Sequence, residues 1–255
     1  MKSPIRSGSA VTGRSSAGRN TGSRHVDGPG LRGAGRFASA ISARRLAVRL
    51  VRCADAVLVE GDMSSGFGPV GTDERRLAVA TLTLAFAADP FIRWMYPEPG
   101  DFLTHFPELM FAFGGAAFEQ ETVWRLGGHS AVAMWMPPGI EPGVDATVAV
   151  FEATVGEDRL GDLMAVFGQM DDAHPSYPLW YLPWLGVDSA VQRNGLGSAL
   201  MRPCLEIVDS HHLPAYLDST NPQNVPFYER HGFEVTGHRQ AGSSPPIVSM
   251  LRAAR

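Results

Sequence analysis

A mixed α/β fold built on one central sheet is predicted by three consecutive features of the sequence. A strongly apolar, strand-like run at 180–187 enters a Gly-containing loop, a helical pattern follows at about 198–210, and a second strand-like run lies at 215–219. These make a β-loop-α-β unit. With further strands before and after it, the unit implies a sheet flanked by helices rather than a repeat array.

The elements follow in chain order. The first 36 residues are rich in Gly, Ser and Arg and nearly free of apolar periodicity, so they cannot repay the entropy of ordering. At 37–60, Ile41, Leu46, Val48 and Leu50 alternate with arginines in a short helical pattern. Met63 offers a second start. Residues 1–62 are therefore expected to be a disordered basic extension or a mis-annotated start, and residues 63–255 the globular domain. Thr72-Asp73-Glu74 reads as the cap of a helix over 75–88, with Leu77, Ala80, Leu84 and Ala88 at helical spacing. Asp89-Pro90 ends it, Pro97-Glu98-Pro99-Gly100 makes a turn, and 102–118 is a second helix. Strands at 123–126 and 130–136 flank Gly127-Gly128 as a hairpin. A helical stretch at 144–170 is interrupted by Gly156, Gly161 and Gly168. A short helix at 225–231 and strands at 233–238 and 247–251 complete the chain.

Composition excludes several functions. At 255 residues with 44% apolar and 19% charged residues, the chain can bury one substantial core. No run approaches the roughly 20 apolar residues of a membrane span, so no membrane partner is expected. Cys53 and Cys204 are too few for a disulfide framework or a metal cluster, which fits a cytoplasmic protein. Cys204 reads as a small buried hydrophobe. The histidines, His129, His174, His211, His212, His231 and His238 among them, show no metal-ligand spacing. Charge is unevenly spread: residues 1–62 hold 11 Lys/Arg against 4 Asp/Glu, and residues 63–255 hold 11 against 22. The acidic domain suits a cationic substrate. The basic segment superficially suits a transit peptide or a nucleic-acid arm, and neither is expected.

Gln192-Arg193-Asn194-Gly195-Leu196-Gly197 lies between strand and helix, where consecutive backbone N–H groups and a positive helix end suit a pyrophosphate. Gly-x-Gly by itself is a weak signal, since glycines at such a turn often serve only a positive φ. The loop is not a Walker loop, because Gly-Lys-Ser/Thr is absent and the only lysine is Lys2. It is not a dinucleotide fingerprint either, because Leu200 occupies the third glycine position.

Together with Leu185-Gly186-Val187 before it, this loop resembles motif A of the GNAT acetyltransferases. Downstream, Asn221-Pro222-Gln223-Asn224-Val225-Pro226-Phe227-Tyr228-Glu229-Arg230-His231-Gly232-Phe233 resembles the family's second signature. The resemblance spans about 72–252, and 131–138 and 180–198 look most like the puromycin N-acetyltransferase branch.

The resemblance implies a GNAT fold: a mixed, mostly antiparallel sheet splayed at the cofactor site and flanked by helices. It implies acetyl-CoA as co-substrate, contacted by Leu185, Gly186, Val187, Gln192, Arg193, Asn194, Gly195, Leu196, Gly197, Ser198 and Asn224. Asn224 reads equally well as a turn stabiliser. It further implies an amine attacking the acetyl carbonyl while Tyr228 protonates the departing thiolate, a step suited to a phenol of ordinary pKa ~10. A packed aromatic is the alternative for Tyr228. Amides of the strand ending at Val187 are expected to polarise the thioester carbonyl. Glu119, Glu121, Glu141 and Asp218 are carboxylates available to deprotonate the amine, and none is assigned that role. Trp94, Trp124, Trp135, Trp180 and Trp184 are chiefly core candidates. Trp135 and Tyr181 are the expected pocket residues. The expected partners are a small-molecule primary amine, drug-like or metabolic, and at most a second copy of the chain as a homodimer. The rival reading is a catalytically idle acyl-CoA-binding module acting as a sensor or partner-binding unit.

Overall fold

The computed structural model of the protein describes residues 66–255. The expectations for residues 1–62, including the basic extension, the helix at 37–60 and Cys53, lie outside the described residues. The described chain forms β1 (Gly68–Pro69), a 3-10 turn (Thr72–Glu74), α1 (Arg75–Ala85), α2 (Pro90–Met95), α3 (Pro99–Gly114), α4 (Ala116–Glu119), β2 (Val123–Leu126) and β3 (Ala131–Met136). There follow α5 (Val144–Thr154), α6 (Glu157–Ala173), β4 (Trp180–Val187), α7 (Leu196–Ser210), β5 (Ala215–Ser219), α8 (Val225–Arg230), β6 (Glu234–Arg239) and β7 (Ile247–Arg252).

The seven strands form one sheet in the order β1-β2-β3-β4-β5-β7-β6. Every neighbouring pair is antiparallel except β4 and β5, which run parallel. Six consecutive residues of β3 are buried, as a strand covered on both faces requires. One core, containing Leu82, Phe106, Phe151 and Trp184, lies against α1, α3 and α5, and a second, containing Trp135, Leu200, Cys204 and Val208, lies against α7. The sheet is thus the middle of three layers.

Two irregularities in β4 determine where a ligand can enter. Against β3, Met136 pairs with Tyr181 and Met134 with Trp184, so β4 carries one extra residue in that interval. Pro183 lies in this bulge, one of the few sheet positions where a residue without an N–H is tolerated. Against β5, pairing is limited to Trp180 with Ala215 and Tyr181 with Tyr216. Beyond these two pairs the strands splay apart, as expected for the GNAT fold.

Helix α1 presents a different face from the one the sequence pattern suggests. Ala78, Val79 and Leu82 are buried, whereas Leu77 and Leu84 are 55% and 47% exposed. The cause is contact with β4: a Cβ on Gly186 would lie 2.6 Å from Ala85 Cβ and 3.0 Å from Leu82 Cδ2, so α1 packs where glycine leaves room. Thr81 and Thr83 join the buried face because their hydroxyls donate to the carbonyls of His129 and Val79, each at 2.8 Å. The turn at Asp89-Pro90 also starts α2, with the Asp89 carboxylate accepting from the N–H groups of Phe91 and Ile92. Of the three glycines at 156–168, only Gly156 interrupts a helix, at the start of α6; Gly161 and Gly168 lie within it.

At the far end of the sheet, Arg252 on β7 is buried and its guanidinium donates to both carboxylate oxygens of Asp209 on α7, while Nε donates to the His231 carbonyl. The bidentate bonds hold the Asp209 carboxyl below its usual range. Asp209→Ala leaves that guanidinium buried without its counter-charge. The expected cost is about 2 kcal/mol at pH 7, at the low end for such pairs because Asp209 is partly solvated. A depressed carboxylate stabilises above its unfolded pKa of ~4 and loses that contribution as pH falls through the lower folded value. Urea denaturation should therefore show the gap between wild type and variant narrowing below pH 4. A gap that stays constant from pH 7 to pH 3 contradicts the assignment.

Candidate active site

A cleft of about 600 Å³ opens where β4 and β5 part. Leu185, Gly186 and Val187 form one wall, the loop from Gln192 to Ser198 forms the end, and Asn221, Asn224, Phe227 and Tyr228 form the other wall. The two motifs found in the sequence therefore face each other across one space. Gln192, Arg193, Gly195, Gly197 and Ser198 all line it, whereas Asn194 and Leu196 are not among the lining residues.

The loop conformation follows from its residues. Arg193 and Gly195 have φ of +66° and +80°, left-handed conformations that turn successive N–H groups the same way. The Gln192 side-chain amide donates to the Val187 carbonyl at 3.0 Å, and that of Asn194 donates to the Val191 carbonyl at 3.3 Å, so both side chains tie the loop to itself. Gly195 precedes α7, a helix of 15 residues whose first internal N–H bond runs from Ala199 to the Gly195 carbonyl at 2.9 Å. The N–H groups of Leu196, Gly197 and Ser198 thus lack intrahelical acceptors at the positive end of the helix dipole. Gly197 lets Phe227 approach: a Cβ there would lie 3.3 Å from the Phe227 ring. The Ser198 hydroxyl meets His231 Nε2 at 3.1 Å, joining the start of α7 to the end of α8. Burial, reinforced by Arg230, Arg202 and Arg252, holds the His231 pKa below its usual value and favours the neutral imidazole.

Backbone donors line the β4 wall. Asp188 N–H donates to Ser130 O beside β3 at 2.9 Å, whereas the Val187 carbonyl turns away to accept from Gln192. Since successive residues of a strand point their N–H groups to opposite edges, the N–H groups of Val187 and Leu185 face the splayed gap. Tyr228, on α8, is 8% exposed and reaches the same cleft. Burial pushes its phenol pKa upward and the Asp89 carboxylate adds to this; among the described residues no protein hydrogen bond offsets them. The phenol stays protonated throughout the neutral range.

Asn224 is exposed, makes no capping hydrogen bond at the start of α8, and lines the cleft, while Asn221 caps the 3-10 turn Pro222–Asn224 just before it by accepting from Gln223 N–H at 3.0 Å. Trp135 lies elsewhere. It is fully buried between the sheet and α7, edge-on to Trp180, so its assignment to the acceptor pocket is corrected to core. Trp124, Trp180 and Trp184 are buried core residues as well. Tyr181 lies on the opposite face of the sheet and lines a separate cavity with Asp218 and His174. Cys204 is buried against the same core as Trp135, and burial raises its thiol pKa far above the ordinary value.

Asp89 also belongs to the cleft wall, a role its sequence context does not announce. It is 6% exposed, lines the cleft, caps α2 and accepts from the Thr220 hydroxyl at 2.8 Å, and burial raises its pKa. Asp-Pro after a helix carries a strong local meaning as a stop and an N-cap, and nothing in that dipeptide marks a wall of the cleft. The other carboxylates lie as follows. Glu119 is exposed and paired with Arg75, Glu121 and Glu141 are exposed, and Asp218 is held on β5 beside the splay. Among the described residues no cluster of His, Cys, Asp and Glu has the arrangement of a metal site, and no helix is long and apolar enough to cross a membrane.

Comparison with known proteins gives a consistent result. The model of the acetyltransferase (GNAT) family matches residues 158–233, which include the loop, α7 and the whole of the second signature. An uncharacterised N-acetyltransferase of Schizosaccharomyces pombe is 27% identical over 184 residues, covering 64% of this chain and 72% of that protein. Among solved structures, a histone acetyltransferase HPA2 and related acetyltransferase from Corynebacterium glutamicum superposes with a TM-score of 0.50 at 24% identity, covering 74% of this chain and 96% of that one. A Drosophila melanogaster polyamine N-acetyltransferase gives 0.52 at 13% identity, covering 73% and 98%. The chain has the GNAT fold, and the family-model match together with these relatives supports its place among the GNAT acetyltransferases.

Proposed function

We propose that the protein is an N-acetyltransferase that moves an acetyl group from acetyl-CoA to the primary amine of a small molecule. The observation that carries this reading is the pairing, across one cleft, of an anion-binding helix start with a buried, protonated tyrosine. The residues present suit the donor. Leu196, Gly197 and Ser198 offer free amides, Arg193 and Arg230 add positive charge, and Gly197 against Phe227 leaves no side chain in the floor of the loop. Bound there, acetyl-CoA supplies a thioester whose acetyl carbon is open to an amine.

Each residue then has a defined task. The Leu185 and Val187 amides face the gap and are the donors available to an oxyanion on the thioester carbonyl. As the new N–C bond forms and the C–S bond breaks, Tyr228 gives its proton to the sulfur, and the proton lost by the amine restores the phenol through solvent or a carboxylate. Asp89 contributes at a distance, because its charge helps hold the Tyr228 proton in place before transfer. The acidic balance of residues 63–255 favours a cationic acceptor, and the resemblance of 131–138 and 180–198 to the puromycin N-acetyltransferase branch is compatible with a drug-like amine.

Two variants separate chemistry from binding. Tyr228→Phe should lower kcat by about 100-fold while KM for acetyl-CoA changes little, measured by thiol release with an accepted amine. Because the phenol pKa is raised, wild-type kcat should rise with amine deprotonation and then stay level up to about pH 10; a falling limb near pH 8 would show that another group is the acid. Gly195→Val forces a β-branched residue into φ +80°, so calorimetry should show CoA binding weakened by tenfold or more. CoA binding unchanged in Gly195→Val removes the loop from the donor site. Tight CoA binding without turnover of any amine would favour the idle-module reading.

A further inference from the structure

The face of the sheet opposite α7 contains two adjoining cavities with no part in the cleft chemistry described above. One, of about 60 Å³, is walled by Phe91, Leu109, Phe151 and Leu163 and also lined by Thr147, Trp184 and Thr220. Thr147 and Trp184 are 1% and 7% exposed, and neither Thr147 Oγ1 nor Trp184 Nε1 has a hydrogen-bond partner among the described residues. Leaving a buried polar group unpaired is costly, and a polar atom entering the cavity would remove that cost. The other cavity, of about 80 Å³, shares Phe113, Phe167 and Met170 with the first. Its polar lining is Glu141, Asp171, His174, Tyr181 and Asp218, without an arginine.

Asp218 is the best placed of these carboxylates. Ser249 Oγ and Tyr216 Oη both donate to its Oδ1, at 2.6 and 3.1 Å, which leaves Oδ2 available to a cation in the cavity. Burial pushes its carboxyl up to about 6, so it is charged at neutral pH and ready to pair with an ammonium. Burial lowers the His174 pKa, so the imidazole does not supply the missing positive charge.

These cavities also adjoin the cleft. Thr220, in the lining of the apolar cavity, donates to Asp89, in the lining of the cleft, at 2.8 Å. Trp184 lines the cavity and its neighbour Leu185 lines the cleft, because adjacent strand residues face opposite sides of the sheet. Asp218 lies on β5 just past the last residue paired with β4, at the mouth of the splay.

We propose that the two cavities are the acceptor site and that the acceptor is a primary amine bearing one ring-sized apolar group, its ammonium beside Asp218 and its ring reaching into the apolar cavity. The inference rests on the reading of the cleft as the acetyl-CoA site. Neither cavity alone reaches the roughly 150 Å³ that holds one benzene, but at about 60 and 80 Å³ the two together approach it, so the ring spans their shared wall of Phe113, Phe167 and Met170 and nothing larger than one ring with a short amine arm is accommodated. The unpaired Thr147 and Trp184 groups suit a ring carrying a hydroxyl. A linear polyamine fits poorly, because its second ammonium would lie among Phe91, Phe151 and Leu163 without a counter-charge.

The test uses the full chain with CoA present. Tyramine, its neutral analogue 4-(2-hydroxyethyl)phenol and spermidine are titrated by calorimetry, and acetylation of both amines is followed separately. Tyramine should bind at least tenfold more tightly than spermidine. Asp218→Asn, shown to be folded by urea denaturation, should weaken tyramine by tenfold or more and the neutral analogue by less than twofold. Spermidine binding as tightly as tyramine, or an equal effect of Asp218→Asn on tyramine and its neutral analogue, overturns the inference. Tyramine bound but not acetylated upholds the acceptor site and overturns the acetyltransferase reading. Spermidine acetylated with tyramine unbound does the reverse.

Discussion

The parting of β4 from β5 after two residue pairs is the constraint on which the rest of the molecule depends. A parallel pair that zipped to its end would bury the N–H groups of Leu185 and Val187 in a ladder and leave no space between the Gly195 loop and Tyr228. The bulge at Pro183 contributes to the separation by bending β4 and re-aiming the residues after it. Gly186 then lets α1 pack directly against the displaced strand. The opening is held from both sides: Gln192 bonds back to the Val187 carbonyl on one, and Thr220 bonds to Asp89 on the other. The cleft and the two cavities on the opposite face thus adjoin a single gap in the sheet.

Electrostatics across that gap are arranged by burial more than by ion pairing. Tyr228, Asp89 and Asp218 all have pKa values raised chiefly by desolvation, each beside a different part of the opening. Desolvation keeps the phenol protonated and makes the carboxylates better proton acceptors than exposed ones, the direction acid–base work near neutral pH requires. The ion pair of Arg252 with Asp209 lies away from the cleft and serves the scaffold by fixing the end of β7 to the end of α7.

Much of this was legible in the sequence wherever local chemistry decides local structure. The β4 and β5 spans, the hairpin around Gly127-Gly128 and the two facing motifs follow from apolar runs bounded by turn residues. Long-range packing accounts for what was not. The stripe of Leu77, Ala80, Leu84 and Ala88 is as helical as the buried set of Ala78, Val79 and Leu82, and only the glycine on a strand about a hundred residues later selects between them. Trp135 and Tyr181 look alike as aromatics in strands, yet the alternation of the sheet sends one into the core under α7 and the other to a cavity on the opposite face. Asp89 was hidden behind its capping role. The bulge was hidden as well, although Pro183 in the middle of an apolar strand was its available signal.

A single donor site built from the splayed gap and the loop ahead of α7 would respond to CoA as one unit. The most direct measurement is a titration of the protein with CoA, followed by the backbone amide resonances of the assigned chain. The largest shifts should fall on Leu185, Val187 and Leu196 to Ser198, with little change along α5 and the first turns of α6. Shifts concentrated instead around Arg202, Gly232 and Arg255, which line a separate surface depression, would contradict that single donor site.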